Sequence, residues 1–149
     1  MDTLLQKLPL PARRDEIVQA CCRLLDQEVR RKGGFGGLAV KGGYALLKAF
    51  KPGAVPEAVE ALLDDFLGAL EPFHAEHLKA PTGSFGAFMK ARGAPIAQAL
   101  VSVTDRRAEK SKHGSLRGMY QKLRPSALRH VEEAVPGLGD LVDRFYGQG

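Results

Sequence analysis

Apolar residues along this chain recur mostly at intervals of three and four, the spacing that places them on one face of a helix. Ile17, Cys21, Leu24, Leu25 and Val29 share such a stripe, while Arg14, Asp15, Arg23 and Arg30 fall elsewhere. The pattern predicts an amphipathic helix from about Ala12 to Lys32. Pro9 and Pro11 separate it from a brief N-terminal helix, and the glycines from Gly33 to Gly37 end it. A second helix is predicted from about Leu38 to Phe50. It is apolar nearly all round except at Lys41 and Lys48, which makes it central, with one edge at water. Pro52 and Gly53 stop it. The third helix is the clearest: Val59, Leu62, Leu63, Phe66, Leu67, Leu70 and Phe73 keep the helical period, and Glu57, Glu60, Asp64 and Asp65 form the opposite face. Pro56 near its start costs little, because a first-turn N–H has no partner in any case.

The C-terminal half is punctuated more often. Ala80-Pro81-Thr82-Gly83 reads as a turn, and Phe85, Phe88 and Met89 predict a short helix closed by Gly93. Pro95 opens a helix with Ile96, Leu100, Val101 and Val103 on a broad apolar surface, turning basic at Arg106 and Arg107. Ser111 to Ser115 reads as a loop, with Ser115 as the N-cap of a helix carrying Leu116, Met119, Tyr120 and Leu123. Pro125 is expected to restart the chain before Leu128, Val131 and Val135. Pro136-Gly137 is expected to break it again before a last helix with Leu138, Leu141, Val142 and Phe145. No stretch alternates with period two between hairpin turns, so no strand is predicted. The fold class that follows is all-α: a compact bundle of six to eight short helices, one domain over residues 1–149.

Composition supports this reading. The 149 residues are 44% apolar and 26% charged, with 7% aromatics and no Trp, so the core must be made of Leu, Val and Ala with a few Phe. Ala and Leu favour helices. The start, Met1 to Lys7, lacks the charge and apolar run of a leader, and no stretch reaches the roughly 18 apolar residues of a membrane span. Cys21 and Cys22 are neighbours in a predicted helix, where their Cα atoms cannot take up ordinary disulfide geometry. Two free thiols point to a reducing, cytoplasmic compartment.

The net charge of +5 is unevenly spread. Arg30 to Lys51 holds six bases and no acid, Glu57 to Glu76 six acids and no Lys or Arg, and Asp105 to Arg129 eight bases against two acids. Such blocks either neutralise one another across the fold or present a charged surface to a partner.

Few motifs carry chemistry. Gly34-Phe35-Gly36-Gly37-Leu38-Ala39 fits G-x-G-x-x-A, but that fingerprint binds a dinucleotide only between a buried strand and a helix, and here an amphipathic helix precedes it. A flexible turn explains it better. His74 and His77 could form half a metal site with an oxygen from Glu71, and His113 or His130 would have to come from afar to complete it. The simpler expectation is two solvated histidines at a helix end, with no metal and no cofactor. No lowered thiol pKa can be argued for Cys21 or Cys22, no serine sits in a nucleophile elbow, and no catalytic residue is assigned.

The strongest functional signal is the basic run before the helix at Ser115. Helix N-termini carry unpaired N–H donors and partial positive charge, which suit phosphate or carboxylate. Arg106, Arg107, Lys110, Lys112, His113, Ser115 and Arg117 are therefore the candidate anion site, with Lys122, Arg124 and Arg129 extending the positive surface. The competing use of these bases is to pair with the acidic third helix. No helix-turn-helix, RNA-recognition signature or aromatic platform accompanies them, so nucleic acid is not the preferred partner.

Two stretches carry a family likeness. One is Lys32-Gly33-Gly34, Gly36-Gly37-Leu38, Lys41-Gly42-Gly43-Tyr44 and Lys48-Ala49-Phe50-Lys51-Pro52-Gly53. The other is Thr104-Asp105-Arg106-Arg107, Ser111-Lys112-His113-Gly114-Ser115 and Tyr120-Gln121-Lys122-Leu123-Arg124-Pro125. Over most of its length the chain resembles a small family of uncharacterised bacterial all-helical proteins. The resemblance implies a bacterial, cytoplasmic origin and brings no activity, cofactor or site residue. The residues themselves favour a non-enzymatic helical binding domain acting through protein contacts or self-association. The alternative is an anion-binding module for a phosphorylated ligand or nucleic acid.

Overall fold

Residues 3–31, 53–110 and 114–148 are described by the structure, a computed structural model, and among them there are helices and no strand. Within the described residues the helices predicted by periodicity are present, but several are longer than the prolines suggest. We number them α1 (Leu4–Lys7), α2 (Leu10–Arg31), α3 (Ala54–Lys79), α4 (Phe85–Ala91), α5 (Gly93–Glu109) and α6 (Gly114–Phe145). The helix expected from Leu38 to Phe50 and the glycine run from Gly34 lie outside the described residues.

The short α1 is held by caps. Thr3 and Gln6 form a reciprocal capping box. The carboxylate of Glu71 on α3 accepts from the Leu4 and Leu5 amides, each at 3.1 Å. This satisfies the free N–H groups of the first turn with a negative charge at the positive end of the helix, and it pins α1 to α3. Leu4 is then fully buried. Helix α2 contains one non-helical residue, Arg13, just after Pro11, and continues from there with Ile17, Val18, Ala20 and Val29 buried.

On α3 the buried side chains are Val55, Leu63, Leu67, Leu70, His74 and His77. From Leu63 onward they alternate steps of four and three, so a single seam faces the bundle over four turns. The helix runs through Pro72 to Lys79. Gly83, with φ +90°, makes the turn that follows, in a conformation that L side chains rarely adopt. Ser84 caps α4, accepting from the Ala87 amide at 3.0 Å.

The expected breaks at Pro125 and Pro136 do not occur. Helix α6 spans 32 residues and contains both. A proline inside a helix loses one hydrogen bond and crowds the preceding turn, at about 3 kcal/mol. Burial of Val135, Val142 and Phe145 further along α6, at roughly 1.5–3 kcal/mol per side chain, offsets that cost. Because α6 starts at Gly114, Ser115 lies within the helix and is not its cap.

Helix α6 packs along both α5 and α4, α3 packs against α5 and α2, and α2 also reaches α6. Phe85, Met89, Ile96, Val135 and Phe145 are essentially inaccessible and mark the centre. No helix among the described residues is long and apolar enough to cross a membrane.

Candidate functional site

Two adjoining spaces lie among α2, α3, α5 and α6. The larger is a cavity of about 520 Å3 whose lining includes Leu8, Ile17 and Cys21 of the N-terminal part and α2, Val59, Leu63 and Leu67 of α3, Leu100, Val101 and Thr104 of α5, and Tyr120, Val131 and Phe145 of α6. Among the described lining residues only Cys21, Thr104 and Tyr120 carry a polar side-chain atom. Cys21 of α2 and Val55, Ala58 and Val59 of α3 are the smaller side chains on those two walls. Burial in this apolar setting pushes the Cys21 thiol up to about 11, with a further rise from neighbouring Cys22. At neutral pH Cys21 is therefore a protonated, inert wall group.

The smaller space is a cleft of about 240 Å3 between the end of α5 and the start of α6, lined by Asp105, Ala108, Glu109, Arg117, Tyr120, Gln121 and Arg124. Its floor is an ordered network. Arg124 Nε donates to Asp105 Oδ1 at 2.9 Å and Oδ2 at 3.1 Å, and Nη2 donates to Oδ2 at 3.0 Å. Tyr120 donates its hydroxyl to Asp105 at 2.6 Å, and Thr104 Oγ1 lies 2.6 Å from the same hydroxyl. Hydrogen bonds from Arg124, then from Tyr120, hold the Asp105 carboxyl below its ordinary range. The Tyr120 phenol is raised, first by burial and then by the carboxylate beside it. Tyr120 lines both spaces, and of the sequence neighbours Thr104 and Asp105 the first lines the cavity and the second the cleft.

A model of a family of unknown function, DUF6918, matches residues 4–146, from the first residue of α1 to just past α6. The chain belongs to this family. Neither curated proteins nor solved structures give a match. The two spaces and the helices that form them fall within the DUF6918 match, so the chemistry of this DUF6918 chain has to be read from its own side chains.

The predicted anion site is divided by the fold. Arg107 turns to α3, donating to the Ala61 carbonyl at 2.8 Å and to Asp65 at 3.1 Å. Arg14 of α2 clamps the same acidic row, reaching Glu60 at 2.5 Å and Asp64 at 3.0 Å. Pairing between basic segments and the acidic third helix is thus realised at these positions. Arg124, expected to extend a positive surface, is neutralised by Asp105. Arg106, Lys110 and Arg117 are exposed, and no ion pair holds them among the described residues. Lys112 and His113 lie outside those residues. Asp105, Tyr120 and Gln121 were not assigned from sequence, although Tyr120 and Arg124 stand four apart on α6, a spacing that sets both against one partner.

The histidines are not solvated. His74 and His77 are 1% and 5% exposed, within an aromatic cluster of Phe85, Phe88 and Tyr146. His74 Nε2 lies 2.8 Å from the Tyr146 hydroxyl, and the His74 ring meets Phe85 edge-on at 5.1 Å. Since Glu71 is committed to the amides of α1, the half-site sketched from sequence becomes a structural joint between α3, α4 and the C-terminus. No cluster of three metal-ligating side chains is present among the described residues.

Proposed function

We propose that this DUF6918 chain is a non-enzymatic helical binding domain whose ligand is an apolar chain seated in the cavity between α2, α3, α5 and α6. The observation that carries this reading is the cavity itself. Small-molecule sites commonly enclose roughly 300–1,000 Å3, mostly apolar, with a few polar groups that fix orientation. A cavity of about 520 Å3 with its described polar atoms limited to one thiol and two hydroxyls fits that description. A dry space of this size otherwise costs stability, since wall atoms forgo dispersion contacts. A contact with another protein or a second copy would draw on a surface apolar patch. The large apolar side chains exposed among the described residues are Leu5 and Leu25, on different helices. An enclosed apolar ligand is therefore preferred over a broad protein interface.

The test is titration with N-phenyl-1-naphthylamine, a neutral fluorophore that brightens in apolar surroundings. One equivalent should bind the native protein, and Val59→Trp, which projects a larger ring from the cavity wall, should weaken binding at least about tenfold. The melting temperature of the variant serves as the folding control, and Val131→Phe replaces it if Val59→Trp does not fold. Absence of fluorophore binding would overturn the proposal. Unchanged binding in a folded, filled variant would overturn it equally.

A further inference from the structure

We propose that the cleft beside Tyr120 holds the head of the same ligand, and that the ligand is a single-chain amphiphile with a terminal carboxylate. This rests on the reading of the cavity as an apolar-chain site and adds the chemistry of its polar end. Apart from the Cys21 thiol, the polar atoms on the described cavity wall sit together, on Thr104 and Tyr120. Their side chains are hydrogen-bonded to each other at 2.6 Å, so they mark one end of the space. The polar cleft adjoins that end, and Tyr120 lines both. A chain filling the apolar space therefore places its polar terminus at this end, where alone the described walls offer neighbouring hydroxyls and then charges.

The charges select the head. Four charged side chains line the cleft: Asp105, Glu109, Arg117 and Arg124. Asp105 and Arg124 satisfy one another through three hydrogen bonds and present little net charge. Arg117 has no ion pair among the described residues, and a planar guanidinium matches a carboxylate through two parallel N–H···O bonds. Arg106 and Lys110 at the end of α5 add positive potential, which outweighs the single Glu109. A doubly charged phosphate would leave one of its charges unmatched beside Glu109, because Arg117 is the one guanidinium lining the cleft without an ion pair among the described residues. One singly charged carboxylate on Arg117 is the better complement.

Dodecanoate and dodecanol, which differ only at the head, separate this inference from the one on which it rests. Each competes with N-phenyl-1-naphthylamine on the native protein and on Arg117→Gln, a change at an exposed position. Dodecanoate should displace the fluorophore from the native protein about tenfold more effectively than dodecanol does, the scale of one charge-assisted contact. Arg117→Gln should bring dodecanoate down to the level of dodecanol and leave dodecanol unchanged, while Arg117→Lys should keep part of the difference. Equal displacement by acid and alcohol on the native protein, or equal weakening of both by Arg117→Gln, overturns the head assignment while the cavity reading stands. Failure of both to displace a bound fluorophore overturns the amphiphile. Failure of the fluorophore itself to bind removes the cavity reading as well.

Discussion

Cys21 and Cys22 show how one step round a helix changes a side chain's chemistry. Cys21 is on the apolar stripe, lines the cavity and has its thiol raised to about 11 from an ordinary 9.0. Cys22 is raised as well, by burial and then Asp26, but lies nearer water. At pH 8 about one Cys21 side chain in a thousand is the reactive thiolate. Iodoacetamide at that pH should label Cys22 well before Cys21, with the difference vanishing in denaturant; equal rates, read by peptide mass, would contradict the burial. The sign of the linked stability follows. Above pH 9 the unfolded thiol releases its proton while the folded one keeps it, so this group's contribution is intact below pH 9 and declines towards pH 11. The adjacency of two thiols and their helical position are legible in the sequence. Which of them faces a cavity is not, because that depends on α3 and α6 arriving on the far side.

Helices α4 and α6 approach each other closely at a pair of glycines. A Cβ built at Gly86 would strike Gly139 O and the Asp143 carboxylate, and one at Gly139 would meet Gly86 O at 2.8 Å. Asp143 uses that proximity, accepting from the Gly86 amide at 2.8 Å and from the Ser84 hydroxyl at 2.7 Å. Gly86→Ala should therefore destabilise the fold by about 1–3 kcal/mol, as overpacking of a close contact does. Gly68 and Gly118 sit on exposed faces of α3 and α6 with open space where a Cβ would go. Alanine at either should stabilise by about 0.5–1 kcal/mol through helix propensity alone. Urea midpoints of the three variants test this, and a shared sign would refute the packing argument. Glycine content alone does not separate these positions. The prolines of α6 mislead for a related reason: a sequence records the local cost of a proline in a helix and not the burial on either side of it.

For the whole molecule, an occupied cavity should be a more stable bundle. A ligand at a hundredfold excess over its Kd, binding only the folded state, adds about 2.7 kcal/mol. In a chain of this size, at about 2–4 °C per kcal/mol, that raises the melting temperature by about 5–10 °C. Calorimetry with dodecanoate should record such a rise in the native protein and none in Val59→Trp; equal rises in both would place the ligand elsewhere. The acidic and basic blocks contribute to the fold differently. Arg14 and Arg107 approach α3 from two helices and pair with its exposed acidic row, tying α2 and α5 to the same neighbour. Exposed pairs of this kind add little stability, so their effect lies in orientation and solubility.

By itself, the sequence determined the helical class, the seam of α3, the stripe of α2, the turn at Gly83 and the basic character of the end of α5. Each of these follows from spacing within a few residues, because a helix repeats every 3.6 residues and turn chemistry is local. Only the tertiary structure decided that His74 and His77 are buried, that Arg107 and Arg124 are taken by Asp65 and Asp105, and that Arg117 stands at a cleft sharing a wall with an apolar cavity. Those outcomes set side chains from different helices against one another, and a cavity is the space that several packed faces fail to fill.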